Sequence, residues 1–367
     1  MLGSDKSAAS GIGVVIVTYR AAGFIAACLE SLFGAEFPDL RVVVVDNASP
    51  DATCDTVRNW AAEGGARPDD PDWPLPADFA AKKPVTFVER GADGGAPAGP
   101  GLTLVRAADN LGFAGGVNLG LAALGVLGPG QAARAGLLGV WVLNPDTVVA
   151  PQTVAAFADR ARARDAWGVI GGRVLFLSRP DRIHADGGRL NRWSGACASV
   201  NWNKPAADCP MPALAGLDYI PGISFFVSPA FLERAGPMDP DWFLYYEEVA
   251  WQRRRGPLCL ALAPQAVVWH RAGASIGTGS EGIAPSALSL YFMYRNRLRF
   301  VARDWPVGLP ICYLAALATI LRRFCGRWRF ALPQLVAALR GLHQLGPPRH
   351  VRSRLAPQVW QRLVQRG

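Results

Sequence analysis

Ile12–Thr18 reads IGVVIVT and Arg41–Val45 reads RVVVV, the latter running straight into Asp46-Asn47-Ala48-Ser49-Pro50-Asp51. Both are short runs of apolar, mostly β-branched residues without polar alternation, the pattern of strands buried on both faces. Between them, Ala21 to Leu32 sets Phe24, Ile25, Cys28, Leu29 and Leu32 at helical spacing. A second helix is expected at about Ala52 to Ala62, with Ser49 or Asp51 placed to cap it. Strand, helix, strand, helix at this spacing predicts an α/β domain with a parallel sheet and crossover helices.

Gly64 to Gly101 interrupts the rhythm. It is rich in Gly, Pro, Ala and Asp, with one expected strand at Val85 to Glu89, and reads as an insertion or surface loop, partly disordered. The alternation resumes with strand Leu102–Arg106, a Gly-rich turn and helix (Asn110 to Leu124), and strand Gly139–Leu143, which ends in Asn144-Pro145-Asp146. Helix Pro151–Arg164 and strand Trp167–Leu177 follow, then a polar, turn-rich stretch from Ser178 to Ala215. Further on, strands are expected at Tyr219–Val227 and Ala266–Trp269, with helices at Pro229–Ala235 and Tyr246–Arg255. From Pro285 the pattern is helical, at about 285–303, 310–325, 329–342 and 351–364. The organisation expected is an N-terminal tail (1–10), a catalytic domain (11–284, with 64–101 inserted) and a helical C-terminal region (285–367).

Half of the 367 residues are apolar, enough for a sizeable core. Seven cysteines without a CxxC pair argue against a disulfide framework or zinc site and fit a reducing cytosol. No basic stretch followed by an apolar run opens the chain, so no signal peptide is expected. No run of 18 uninterrupted apolar residues occurs, so no spanning helix is expected; Ile311–Leu321 comes nearest and ends in Arg322 and Arg323. The net charge of +9 is uneven: from Arg295 onward there are 14 arginines and one acid, Asp304, a net +13 that leaves −4 for the rest. In that tail Ile311, Leu314, Leu317, Ala318 and Leu321 recur at helical spacing, near Trp305, Phe324, Trp328 and Phe330. Such helices suit the headgroup region of an anionic membrane, or a solvated face packed on the rest of the protein. Arginines alternating with bulky apolar residues, in no recognisable binding module, argue against nucleic acid.

Ligands of open parallel sheets bind beyond the carboxyl ends of the strands. Thr18-Tyr19, Asp46-Asn47 and Asn144-Pro145-Asp146 all fall there. Asp46 can accept hydrogen bonds from a nucleobase or ribose, and Asp146 can bind a hard divalent cation bridged to a diphosphate. A lone Asp after a strand is commonly a turn or cap; three such clusters in register favour a ligand site. Asn110-Leu-Gly-Phe-Ala-Gly-Gly-Val-Asn118 either exposes backbone N–H groups to an anion or packs a helix closely. Glu247 and Glu248 lie beside Tyr245 and Tyr246, where partial desolvation makes a carboxylate a stronger base, although acids also favour a helix start. His270 ends an apolar strand as a metal ligand or a hydrogen-bonded structural His, and His184, His343 and His350 share no spacing with it. No HExxH or GxSxG occurs, against metalloprotease and hydrolase readings.

In their order, these clusters resemble the family 2 inverting glycosyltransferases of GT-A fold, in particular a bacterial rhamnosyltransferase-like branch. The likeness is carried by VVIVTYR (14–20), VVVVDNASPD (42–51), NLGFAGGVNLG (110–120), VLNPDTVV (142–149), the block from Gly222 through Phe243-Leu-Tyr-Tyr-Glu-Glu248, VVWHRAGAS (267–275) and YRNRLRF (294–300). It implies a Rossmann-like mixed, mainly parallel sheet flanked by helices, here with a basic helical C-terminal extension. It implies that Thr18, Tyr19, Asp46 and Asn47 line the nucleotide pocket, with Asn110, Gly115, Gly116, Asn118 and Asn144 near the donor. Asp146 stands where the family holds Mg2+ or Mn2+, and His270 at a position that contributes to that metal. Glu248, with Glu247 beside it, matches the base motif, though the family usually has Asp there and a further acid where this chain has Ala250. The implied activity is metal-dependent, inverting hexosyl transfer, with rhamnose suggested by the branch. Its donor is a nucleoside-diphosphate-sugar and its acceptor a glycan or polyprenyl-linked glycan. The implied setting is cell-surface polysaccharide or glycolipid synthesis at the cytoplasmic face of a bacterial plasma membrane. The alternatives are a sugar-phosphate nucleotidyltransferase, for which Gly11-Ile-Gly13 lacks a following Lys, and a non-catalytic sugar-nucleotide-binding protein.

Overall fold

The computed structural model describes residues 9–63, 72–76, 79–93, 100–163, 166–271, 285–325, 332–353, 355–357 and 359–361. The strands are β1 (Gly11–Thr18), β2 (Leu40–Asp46), β3 (Phe87–Gly91), β4 (Gly101–Arg106), β5 (Leu137–Leu143), β6 (Thr147–Val149), β7 (Trp167–Phe176), β8 (Ile183–Ala185), β9 (Gly188–Leu190), β10 (Cys197–Ser199), β11 (Ser224–Val227) and β12 (Cys259–His270). The helices are α1 (Ile25–Gly34), α2 (Thr53–Ala62), α3 (Gly112–Ala123), α4 (Gln131–Arg134), α5 (Thr153–Ala161), α6 (Pro229–Ala235), α7 (Glu247–Gln252), α8 (Ala287–Asp304), α9 (Leu309–Cys325), α10 (Leu332–Leu342) and α11 (Arg349–Arg352).

The main sheet runs β3-β4-β2-β1-β5-β11-β7-β12-β6, with β8 added on β7. The pairs β3–β4, β4–β2, β2–β1, β1–β5 and β7–β12 are parallel, while β11 and β6 run antiparallel to their neighbours. This mixed, mainly parallel sheet flanked by helices is the expected fold class. β1 explains why its sequence shows no alternation. Ile12, Val14 and Ile16 join the core on the side of α1, α2 and α5, while Val15 and Val17 join the core under α3 and α6. Both faces are dry, so every position from Val14 to Val17 is apolar.

The inserted segment is less of a surface loop than its composition suggests. β3 extends the sheet, Trp73, Leu75 and Ala81 are buried, and buried Glu30 accepts hydrogen bonds from Trp60 Nε1 (2.6 Å) and the Ala81 amide (2.7 Å). Sparse large apolar residues among Gly and Pro hid these anchors. Residues 64–71, 77–78 and 94–99 of that segment, the N-terminal tail up to residue 8, and 362–364 of the last expected helix lie outside the described residues.

The expectation of no segment long enough to span a membrane needs correcting. Pro306–Phe324 forms one helical stretch of 19 residues with mean hydropathy 1.4, sufficient by length and composition alone. The sequence count stopped at Pro310, yet Pro is tolerated in a first helical turn, and here a 3₁₀ turn leads directly into α9. Cys312, Ala316 and Ile320 are fully buried on one face, whereas Ile311, Leu314 and Leu321 on another are about half exposed. Trp328 and Phe330 lie outside the described residues.

Candidate functional site

The carboxyl ends of the adjacent parallel strands β2, β1 and β5 open on one side of the sheet. Thr18 Oγ1 lies 3.2 Å from Asp46 Oδ1, and Asp46 Oδ2 accepts the Ser49 amide at 3.0 Å, so the first two turns are tied together. Asn47 Nδ2 donates to the Gly112 carbonyl (2.9 Å), while its Oδ1 is buried without a hydrogen-bond partner. A buried orphan acceptor beside a cavity is a place for a ligand donor group.

That cavity, about 240 Å³, is lined by Tyr19, Asn47, Asn110 and Asn144 from the expected set. Arg20 adds a cation, and Phe243, Leu244, Ser286 and Leu288 close the far wall. The last two come from the start of the C-terminal helices. Thr18, Asp46 and Asp146 are buried side chains beneath or beside this cleft and do not line it.

The Gly-rich turn resolves toward packing. Gly112 has φ of +72°, and its Cβ would strike the Phe243 carbonyl. A Cβ on Gly116 would lie 2.5 Å from Val17 Cγ1, so this glycine lets α3 sit directly on β1. Gly115 faces Leu111, the residue that caps the start of α3. Asn118 binds Met238 at both ends, donating to its carbonyl and accepting its amide, each at 2.8 Å. Gly115, Gly116 and Asn118 therefore shape the wall from behind and do not line the cavity.

Asp146 and His270 come together: β6 follows Asp146, pairs antiparallel with the end of β12, and brings His270 Nε2 within 3.3 Å of Asp146 Oδ1. His184, 86 residues away in sequence, joins them with its Nδ1 3.0 Å from Nδ1 of His270. It sits on β8, between Phe176 (centroids 4.6 Å apart) and Trp202 (5.1 Å). Burial pushes the His184 imidazole down to about 3, which keeps it neutral. No sequence spacing announces this contact, which depends on the pairing of β8 with β7.

The two glutamates open α7, after a loop in which Phe243, Tyr245 and Tyr246 have φ of 59°, 67° and 69°. Left-handed backbone at non-glycine residues costs energy and persists only where the surroundings enforce it. The enforcer is Asn296, fully buried on α8, whose Nδ2 lies within 3.0 Å of the Trp242, Leu244 and Tyr245 carbonyls. Arg295 Nη1 donates to Asn296 Oδ1 (2.8 Å) and reaches the Asp241 carbonyl (3.3 Å). Asn296 was in plain view within YRNRLRF, but only the fold shows what it grips.

Burial raises both carboxyls above the usual range, Glu247 furthest, with the charge of Glu248 adding to its shift. Backbone N–H groups of Glu248, Val249 and Gly222 favour the ionised form of Glu248 and hold its rise in check. Those donors make Glu248 the member of the pair that ionises more readily. One Oε2 of each is buried without a partner. Gly222 also links the two acidic centres: its neighbour Ile223 accepts the Asn144 amide at 2.9 Å.

The Glycosyl transferase family 2 profile matches residues 13–70, the stretch that carries Thr18, Asp46 and Asn47. No curated protein matches the chain. Among solved structures, the chain is similar to the mannosyltransferase PcManGT from Pyrobaculum calidifontis in complex with GDP-Man and Mn2+, at 17% identity over 97% of this chain and 87% of that one (TM-score 0.44). It is similar to S. aureus TarS 1-349 at 14% identity over 96% and 86% (TM-score 0.47). Glucosyl-3-phosphoglycerate synthase from Mycobacterium tuberculosis, in complex with Mn2+, UDP-Glc and phosphoglyceric acid, is 14% identical over 78% and 79% (TM-score 0.39).

Proposed function

We propose that the protein transfers a sugar from a nucleoside-diphosphate-sugar to an acceptor hydroxyl, with inversion at the anomeric carbon. One observation carries this reading. Three adjacent strand ends gather Asp46-Asn47, Thr18-Tyr19 and Asn144-Pro145-Asp146 around a cleft whose opposite wall leads into the buried glutamate pair. Asn47, with its orphan acceptor, suits the nucleoside, and Arg20 suits the diphosphate. Glu248 takes the proton from the acceptor hydroxyl as that oxygen attacks the anomeric carbon from the face opposite the departing nucleoside diphosphate. Glu247, retaining its proton, spares the pocket a second charge.

Asp146 and His270 fit a divalent cation. A carboxylate oxygen and an imidazole nitrogen 3.3 Å apart would together hold one divalent cation. A bound Mn2+ or Mg2+ supplies charge stabilisation to the departing diphosphate. The rhamnosyl reading rests on the motifs shared with that branch. A panel of rhamnosyl, mannosyl, glucosyl and N-acetylglucosaminyl nucleotides, with Mn2+ and a polyprenyl-linked glycan acceptor, tests it. Transfer from the rhamnosyl donor supports the reading. Nucleotide–sugar synthesis from a sugar phosphate would reassign the protein as a nucleotidyltransferase, and donor binding without turnover as a non-catalytic binder.

We further propose that the chain is cytoplasmic and peripheral at the inner face of a bacterial plasma membrane, where a lipid-linked acceptor is presented for polysaccharide or glycolipid synthesis. The exposed stripe of Ile311, Leu314 and Leu321 on α9, with Val307 in the turn before it and Arg322 and Arg323 at its end, supports this placement. Flotation with anionic vesicles should show binding at low salt that weakens at high salt. No binding at low salt removes the membrane proposal and leaves the transferase reading intact.

A further inference from the structure

The proposed cation site has a feature that neither of its two ligands accounts for. A histidine that turns an Nε2 lone pair to a cation carries its proton on Nδ1, and that proton needs an acceptor. The usual acceptor is a carboxylate or a backbone carbonyl. Here the atom 3.0 Å from His270 Nδ1 is Nδ1 of a second imidazole, His184. The rings are nearly parallel, at 16°, with centroids 5.0 Å apart. With the two Nδ1 atoms at 3.0 Å, rings so spaced meet nitrogen to nitrogen and not face to face, the geometry of a hydrogen bond in the ring plane.

The surroundings of His184 fix it in that role. Its backbone is paired to β7 through Ile183 and Ala185, and the Ile183 amide and carbonyl both bond the 203–204 turn, at 3.0 and 2.7 Å. Phe176 and Trp202 hold the ring itself. Phe176 and Trp202 would pack against any aromatic ring, so these contacts alone do not call for histidine.

We infer that His184 is a positioning residue for the cation site: its Nδ1 receives the Nδ1 proton of His270 and so keeps the Nε2 lone pair of His270 turned toward the cation shared with Asp146. The inference rests on the reading of Asp146 and His270 as that site. A strand in the 178–215 stretch, which carries none of the motifs shared with the glycosyltransferases, then supplies the second layer of the metal centre.

The test is Mn2+ binding, read from the free-ion EPR signal as Mn2+ alone is titrated into the full chain. His184→Phe should weaken binding 10- to 100-fold, the usual cost of losing such a partner, while melting near the wild type. His184→Asn, whose Oδ1 branches where Nδ1 does in histidine, should bind within about threefold of wild type. Wild-type affinity in His184→Phe overturns the inference, as does His184→Asn binding as weakly as His184→Phe. If the Phe variant fails to fold, His184→Ala set against His184→Asn carries the same contrast. Asp146→Asn separates the two levels: if it binds Mn2+ like the wild type, or if the wild type binds none, the cation reading itself fails and His184 falls with it.

Discussion

Two parts of the cleft arrive at their shapes by opposite routes. The turns after β1, β2 and β5 are held by near neighbours on adjacent strands: Thr18 with Asp46, Asp46 with Ser49, Thr147 with the Asn144 carbonyl. Forming the sheet nearly forms them. The loop before Glu247 has three residues in the left-handed region, each costing about 1–3 kcal/mol. Three of its carbonyls are held by one side-chain amide 51 to 54 residues away on α8, and the Phe243 carbonyl by the Phe113 amide of α3 at 2.8 Å. The proposed metal side of the site is therefore a by-product of the fold, while the proposed base side is a conformation imposed on it. Stability and activity should respond separately on the first side, and together on the second when the clamp on its loop is removed.

The largest effect tests the chemistry on the imposed side. Glu248→Gln should lower kcat by about 10²–10⁴, the range for losing a general base, with donor affinity and melting temperature close to wild type. Near-normal kcat would falsify the base assignment. Asn296→Ala comes next, because it strips the loop of its clamp. We expect a stability loss of about 1–3 kcal/mol for each carbonyl left unpaired, seen in urea unfolding, together with a fall in kcat. If kcat holds while stability drops, the clamp shapes the fold and not the base. Gly116→Ala probes the wall behind the cavity. Forcing a methyl against Val17 should cost about 1–3 kcal/mol, with kcat changed far less than in Asn296→Ala; equal losses of kcat would erase the contrast between the two sides.

The smallest effect is one of pH. A buried carboxyl with a raised pKa stays protonated in the folded protein where the unfolded chain ionises it, starting from about 4.5. The folded state then binds more protons, so stability falls as pH rises from that value toward the raised one. Glu247→Gln removes the titration. It should melt above wild type at about pH 8, and the gap should close below about pH 4. A gap independent of pH would mean that Glu247 is not the proton-holding member of the pair.

The same contrast explains what the sequence disclosed. β1, β2, β5 and the clusters at their ends were legible because apolar runs and the residues after them are local signals. Asn47, Asn110 and Asn144 line the cavity. Gly115, Gly116 and Asn118 were less legible, since a close-packing glycine and one that exposes N–H groups look identical in sequence. β12 was anticipated only at Ala266–Trp269 because Pro264 and Gln265 interrupt it where its pairing with β7 shifts register. His184 and the grip of Asn296 were invisible because each is a contact between distant segments. The walls contributed by Ser286 and Leu288 follow from how α8 docks, which no helical periodicity encodes.

The clamp on α8 has a practical consequence for anyone wishing to redesign the acceptor side. Residues 241–248 cannot be exchanged as a free-standing module, since their backbone path is written partly at 295 and 296. A graft that imports the loop without its amide would import the amino acids and lose the curve. The transferable unit is at least the loop, one turn of the helix beneath it and the start of α3, whose Phe113 amide binds the Phe243 carbonyl. A library that varies Leu244 and Tyr245 with Asn296 held constant should return far more folded members than one that varies all three.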